Sequence, residues 1–335
     1  MGMIETSPAA SSAPASCALS QTTPPALSVD HVQPWSAALS MAVCAPVFLA
    51  SGYLMISGLP DSPCWNAEYR LIPAGVLLLC VRPRLLTGRW WLRSMAAGTL
   101  NFGAYFACQA LAIHRLTPGF AASLVATTTI MAPLFLAPLG VPVRRRQLLS
   151  GGISVIGLSL ASGWLSSSRS FHLDVIGICA GLATAASLAG GKVLTTYWGQ
   201  PPNMPSITAT GWQLIGGGIS LLPATVLAES TPPSLNLSQW GSTIWLIVAA
   251  TAAAYAMQIG ALHRGAPPTA VSQLALLCPL LATVLDWIRS PSPPPLLQVV
   301  AVVAVLAAIA IGTVSAVTYG PLSARRSTVS VTEAS

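Results

Sequence analysis

Seven polar or charged side chains stand inside otherwise apolar stretches of this 335-residue chain, at spacings suited to holding a small solute: Arg70, Asn101, Tyr105, Gln109, Gln213, Tyr255 and Gln258. Asn101, Tyr105 and Gln109 fall at i, i+4 and i+8, and Tyr255 and Gln258 at i and i+3, so each set is expected on one helical face. Hydroxyl and amide groups set in hydrocarbon are costly, which makes each a site hypothesis, although hydrogen bonds that only hold helices together remain an open reading. Arg70 and Gln213 both lie close to the start of a stretch, where they could orient an anionic group, or else snorkel and bond to backbone. Lys192 follows Gly190 and Gly191, but Val193 and the lack of an upstream glycine break the GxxxxGK[ST] phosphate loop. It is left as a snorkelling side chain or a coupling residue.

Other chemistries find little support. Glu68 and Asp286 lie near the ends of their stretches and no acid stands midway, so facilitated diffusion, exchange or proton coupling through less usual groups is expected. No HExxH motif, no pair of central aspartates and no Cys/His nucleophile arrangement points to an enzyme. The seven cysteines are scattered and odd in number, without a metal-ligand spacing, and read as small buried hydrophobes. No metal, disulfide framework or cofactor is expected. His114 and His263 read as interfacial loop residues, and Trp212 as an interfacial anchor or a stacking surface.

The elements that carry these residues follow from composition. Hydrophobic residues make up 53% of the chain and charged residues only 7%, where a soluble domain has about a quarter charged. So few charges cannot solvate the surface of such a chain in water, so the solvent is lipid. The net charge of +7 sits in short loops and reads as membrane topology, not as nucleic-acid binding. Residues 1–34 are rich in Ser, Ala, Thr and Pro without Lys or Arg, and are expected to be a disordered tail lacking a signal peptide's basic region. From Trp35 onward, ten apolar stretches approach the roughly 20 residues a spanning helix needs: 36–57, 66–81, 95–113, 117–138, 148–165, 174–196, 206–227, 241–261, 267–288 and 295–318.

With the N-terminus placed in the cytoplasm, eleven of the fifteen basic residues fall on the cytoplasmic side, from Arg82, Arg84, Arg89 and Arg93 through Arg144–Arg146, Lys192 and Arg264 to Arg325 and Arg326. Arg115, Arg169 and Arg289 fall outside, and Arg70 lies within a span. Both termini are therefore expected in the cytoplasm and the protein in the cytoplasmic membrane.

The chain also repeats itself. AIHRLTPGFAAS (112–123) and ALHRGAPPTAVS (261–272) share six of twelve positions, and the same offset relates Trp91 to Trp240 and Gln109 to Gln258. YRLIPAGVLLLC (69–80) and WQLIGGGISLLP (212–223) share five, which relates Arg70 to Gln213. Five spans per half force the second copy into the membrane upside down. The expected fold is an all-α integral membrane protein of ten transmembrane helices in two inverted five-helix repeats, 35–168 and 169–319, with a cytoplasmic tail over 320–335. GICAG (177–181) and the stripe Ala304, Ala308, Gly312 read as helix contacts, the latter open to a homodimer.

The segments YRLIPAGVLLLCVRPRLLTGRWWLRS, NFGAYFACQALAIHRLTPGFAASL, GWQLIGGGISLLPATVLAES and ALHRGAPPTAVSQLALLCPLLATVLDW resemble, in order and spacing, the EamA family of the drug/metabolite transporter superfamily. The resemblance covers about residues 36–318. It implies a secondary transporter that exports a small metabolite, amino-acid-like or drug-like compound by alternating access, with the bilayer and a small-molecule substrate as its partners. The Gly-Glu pair that usually precedes each fifth span of the family is absent: Val141 and Ser292 stand about where the glutamates would be, and Ile130 stands where the second repeat keeps Pro279. That departure leaves a non-transporting scaffold or sensor, or a functionally decayed carrier, as the alternative.

Overall fold

The structure is a computed structural model, in which residues 35–139, 145–162, 174–266, 268–289, 293–311 and 313–314 are described. Val141 and Ser292 lie outside the described residues, as do Cys17 and both tails.

Regular structure among the described residues is entirely helical. The first half comprises α1 (Trp35–Ile56), α2 (Pro63–Val81), α3 (Trp90–Gly98), α4 (Tyr105–Arg115), α5 (Pro118–Val125), α6 (Thr128–Leu136) and α7 (Arg145–Ala161). The second comprises α8 (Val175–Trp198), α9 (Ser206–Glu229), α10 (Leu237–Ile247), α11 (Ala254–His263), α12 (Pro268–Leu274), α13 (Leu277–Arg289) and α14 (Leu296–Ile311). Among the described residues, six helical stretches are long and apolar enough to cross a membrane: Ser36–Ile56, Pro118–Phe135, Val175–Thr195, Ser206–Glu229, Leu237–His263 and Ala270–Arg289. Gly151–Ala161 and Leu296–Ile311 are apolar but shorter. Asn66, Glu68 and Arg70 dilute the hydropathy of α2, yet all three are buried within the protein.

Two expected helices are not regular. A π-helical segment, Thr99–Ala104, joins α3 to α4, and a second, Val248–Ala253, joins α10 to α11. A further break separates α5 from α6 at 126–127 and α12 from α13 at 275–276. Both kinds of irregularity recur at the 149-residue offset of the sequence repeat. A π turn widens the helix, and such turns concentrate at functional sites.

Local chemistry fixes several helix starts. Thr117 caps α5 by accepting from the Phe120 amide at 3.3 Å, with Pro118 in the first turn. Asn236 and Gln239 form a reciprocal capping box, each side chain accepting from the other's backbone amide at 2.9 and 3.0 Å. This box starts α10 four residues before the expected boundary at 241.

Helices α2 and α9 share the most extensive seam among the described helices. An added Cβ at Gly75 would lie 2.7 Å from Ile215 Cγ1, and one at Gly218 would lie 2.6 Å from Ile72 Cγ1. Gly75 and Ile72 are the repeat counterparts of Gly218 and Ile215, so one contact is made twice, and its reversed order of residue numbers makes the helices antiparallel. Aromatic pairs double in the same way: Trp91 meets Trp212 edge-on at 4.6 Å, and their counterparts Trp240 and Tyr69 lie 6.2 Å apart.

The cysteines depart from expectation. Cys44, Cys80 and Cys179 are on exposed helix faces, and Cys64, Cys108 and Cys278 are half-buried. A small apolar thiol suits an outward helix face where hydrocarbon is the solvent.

Candidate functional site

Arg70 is 3% exposed and points into the protein instead of snorkelling outward. Its Nε donates to the Thr251 hydroxyl and its Nη2 to the Ala250 carbonyl at 2.8 Å. Both acceptors belong to the second π segment, so the widened turn is what receives the guanidinium. The Phe106 ring lies beneath it, 3.8 Å from Cζ to ring centroid, a cation–π arrangement. Among the described residues, Nη1 has no hydrogen bond and no carboxylate pairs with Arg70; the ion pair there is Arg115–Asp174 at 3.6 Å.

Aromatic and hydroxyl groups lie near this cation. Tyr53, Tyr105, Tyr255 and Cys278 all lie close enough to interact with Arg70 electrostatically. Gln109 donates to the Tyr105 hydroxyl at 3.1 Å, and Tyr53 adjoins both. Phe102 meets Tyr255 edge-on at 5.2 Å and Tyr105 meets Phe106 at 4.8 Å. The cluster thus draws on α1, α2, α4, both π segments or their flanks, and α13.

The first repeat holds the counterpart. Asn101, inside the first π segment, donates to the Thr195 hydroxyl at 3.1 Å and to Gln213 Oε1 at 3.5 Å. Gln213 corresponds to Arg70 and Asn101 to Ala250, so the same two positions meet in both halves, once through a neutral amide pair and once through a cation. Helix α8 approaches here so closely that a Cβ at Gly191 would collide with the Asn101 side chain.

The structure therefore divides the expected site. Arg70, Tyr105, Gln109 and Tyr255 come together, whereas Asn101 and Gln213 form a separate pair with Thr195. Asn101 lies within the first π segment and bonds to Thr195 of α8 and Gln213 of α9, whereas Gln109 bonds to Tyr105. Gln258 is half-buried one turn beyond Tyr255, and Lys192 lies beside Gly191 on an exposed part of α8. Trp212 lies apart from Arg70, with its Nε1 donating to the Arg84 carbonyl at 2.8 Å and its ring against Trp91. His114 and His263 end helices α4 and α11 and are not loop residues. Tyr53, Phe106, Thr251 and Cys278 were not singled out from sequence; the only signal for Thr251 was its position one residue beyond the repeat counterpart of Asn101.

Apolar helices of spanning length arranged around a buried polar centre define a multi-pass membrane protein. The profile of the EamA-like transporter family matches twice, over residues 36–163 and 175–314. The chain belongs to the EamA-like transporter family. It is similar to Protein PecM of Dickeya dadantii (strain 3937), with 32% identity over 230 residues, 68% of this chain and 75% of PecM. The uncharacterized transporter sll0355 of Synechocystis sp. is 28% identical over 273 residues, 72% of this chain and 79% of that protein. A crystal structure with 18% identity superposes with a TM-score of 0.60 over 83% of this chain and 97% of its own, a likeness of fold. The protein is a membrane transporter of drug/metabolite-transporter fold.

Proposed function

We propose that this transporter is a secondary carrier of the cytoplasmic membrane that exports a small organic anion or zwitterion, with Arg70 as the anchor for its anionic group. The observation that carries the reading is a buried guanidinium with one nitrogen free of hydrogen bonds and no carboxylate partner among the described residues. A buried charge is retained only when something compensates it, and a substrate carboxylate would do so. Tyr53, Tyr105 and Tyr255 supply hydroxyls and ring faces for the remainder of the substrate, and Gln109 orients Tyr105. Asn101 and Gln213 act as the neutral counterpart against which the two halves exchange access.

The antiparallel, twice-made contacts between α2 and α9 support two inverted halves rocking about this centre, with ten crossings and both termini in the cytoplasm. The test is a thermal-shift screen of the purified protein in detergent with small carboxylates, amino acids, phosphates and organic cations. Anionic or zwitterionic compounds are expected to stabilise the protein by RT ln(1+[L]/Kd) and so to raise its melting temperature. Stabilisation by cations alone would contradict the assignment of Arg70, and Arg70→Lys is expected to weaken the response because an ammonium cannot reproduce the planar fork.

A further inference from the structure

We propose that Glu68 is a proton-binding site of this transporter and that proton release there is coupled to opening of the seam between α2 and α9. The coupling rests on the carrier reading above; the proton site does not.

Glu68 is 4% exposed, and among the described residues neither carboxylate oxygen has a hydrogen-bond partner. The neighbouring hydroxyl of Thr225 donates instead to the Leu221 carbonyl at 3.1 Å. On the α9 side a Cβ at Gly218 would come within 3.1 Å of Glu68 Oε2, so the carboxyl lies directly against the α9 backbone. Its repeat counterpart is Gly211, so only one half carries an acid at this crossing.

Six buried side-chain atoms lack a partner among the described residues, and four of them fall in the first two turns of α2: Trp65 Nε1, Asn66 Oδ1 and both oxygens of Glu68. Orphaned buried polar atoms are where ordered water binds. Asn66 Nδ2 in turn approaches His114 Nε2 at 3.4 Å, and His114 faces Asp61 and Glu229. This forms a polar route from exposed Asp61 toward the buried carboxyl.

Titratable groups near this end of α2 come from three helices. Helix α9 brings Glu229, which is occupied in accepting from the Cys64 and Trp65 amides at 2.8 and 3.1 Å. Helix α4 brings Tyr105, Cys108, His114 and Arg115, and α2 itself brings Cys64, Tyr69 and Arg70. Helix α10 and the two π segments, which also pack on α2, carry no titratable side chain. Arg70 is already bonded on the opposite side of α2 to Thr251 and Ala250.

An ionised carboxylate without donors cannot persist in such a seam, so Glu68 holds a proton while the seam is closed. When the proton leaves to water, the charge demands hydration and the glycine-lined crossing at Gly75, Gly211 and Gly218 must separate to admit it. Reprotonation reverses the step.

The deciding measurement is infrared difference spectroscopy of the full-length protein in phosphatidylethanolamine and phosphatidylglycerol vesicles, between acid and alkaline pH. The wild type should lose a protonated-carboxyl C=O band that Glu68→Gln lacks and that Glu68→Asp moves in frequency. The same band unchanged in both variants would overturn the proton site. In a second arm, vesicles loaded with pyranine receive the compounds that stabilise the protein thermally. Proton movement with compound uptake in the wild type, and compound uptake without proton movement in Glu68→Gln, supports coupling. Uptake without protons in the wild type overturns coupling and leaves the carrier standing. No uptake of any compound overturns coupling together with the carrier reading, while the infrared band still decides the proton site.

Discussion

Replacing Thr251 by Val keeps the shape of the side chain and removes its hydroxyl, which accepts from Arg70 Nε and donates to the Leu246 carbonyl at 2.7 Å. The guanidinium is then left with the Ala250 carbonyl and the Phe106 face alone. A hydrogen bond to a charged group contributes about 1.5–3 kcal/mol, and leaving its buried partner unpaired places the cost near the upper end, at about 3 kcal/mol. That corresponds to roughly a hundredfold in the folded ratio and, at about 2 °C per kcal/mol for a chain of this size, to a melting temperature lower by roughly 6 °C. Thr251→Ser keeps the hydroxyl and should cost about 1 kcal/mol or less. Asn101→Ala, at the repeat-related position with longer neutral bonds of 3.1 and 3.5 Å, should cost about 1 kcal/mol. The assay is thermal denaturation of detergent-solubilised protein followed by fluorescence size-exclusion chromatography. Thr251→Val melting with the wild type, or Asn101→Ala melting below Thr251→Val, would refute the claim that the second π segment exists to hold Arg70.

Gly75→Ala should destabilise by about 1–3 kcal/mol, because the new methyl meets Ile215 Cγ1 at 2.7 Å and the Gly211 carbonyl at 2.8 Å. Gly152→Ala, with nothing within 4 Å of the added methyl, should stabilise by about 0.5–1 kcal/mol in the same melting assay. Asn236→Ala, which breaks the capping box of α10, should cost about 1 kcal/mol, read as a drop in melting temperature of a few degrees. Reporter fusions after Arg84 and after Lys192 should both report cytoplasm, and a periplasmic signal at either would reverse the topology.

Much of this was legible because lipid constrains sequence so strongly: apolar length placed the helices, and the paired segments at Arg70 and Gln213 marked positions that do occupy corresponding contacts in the two halves. The π segments were not legible. TLNFGA and VAATAA carry no proline or charge to mark a widened turn, and a regular α-helical wheel therefore put Asn101 on the face of Tyr105. Thr251 looked like an ordinary small residue in an apolar run until the fold set it against Arg70. Glu68 was read as lying near a span end, which is true of its place along α2; its burial depends on Gly218 of α9, a partner remote in sequence.

The most direct test of the central claim is the content of a metabolite panel inside and outside host cells with the gene deleted, restored intact, or restored as Arg70→Gln, Tyr105→Phe or Gln258→Ala, with membrane insertion of each variant verified. The account predicts that a small anionic or zwitterionic compound accumulates inside the deletion strain, that the intact gene relieves it, and that Arg70→Gln does not. Relief by Arg70→Gln equal to that by the intact gene, or no compound changing in the deletion strain, would contradict it.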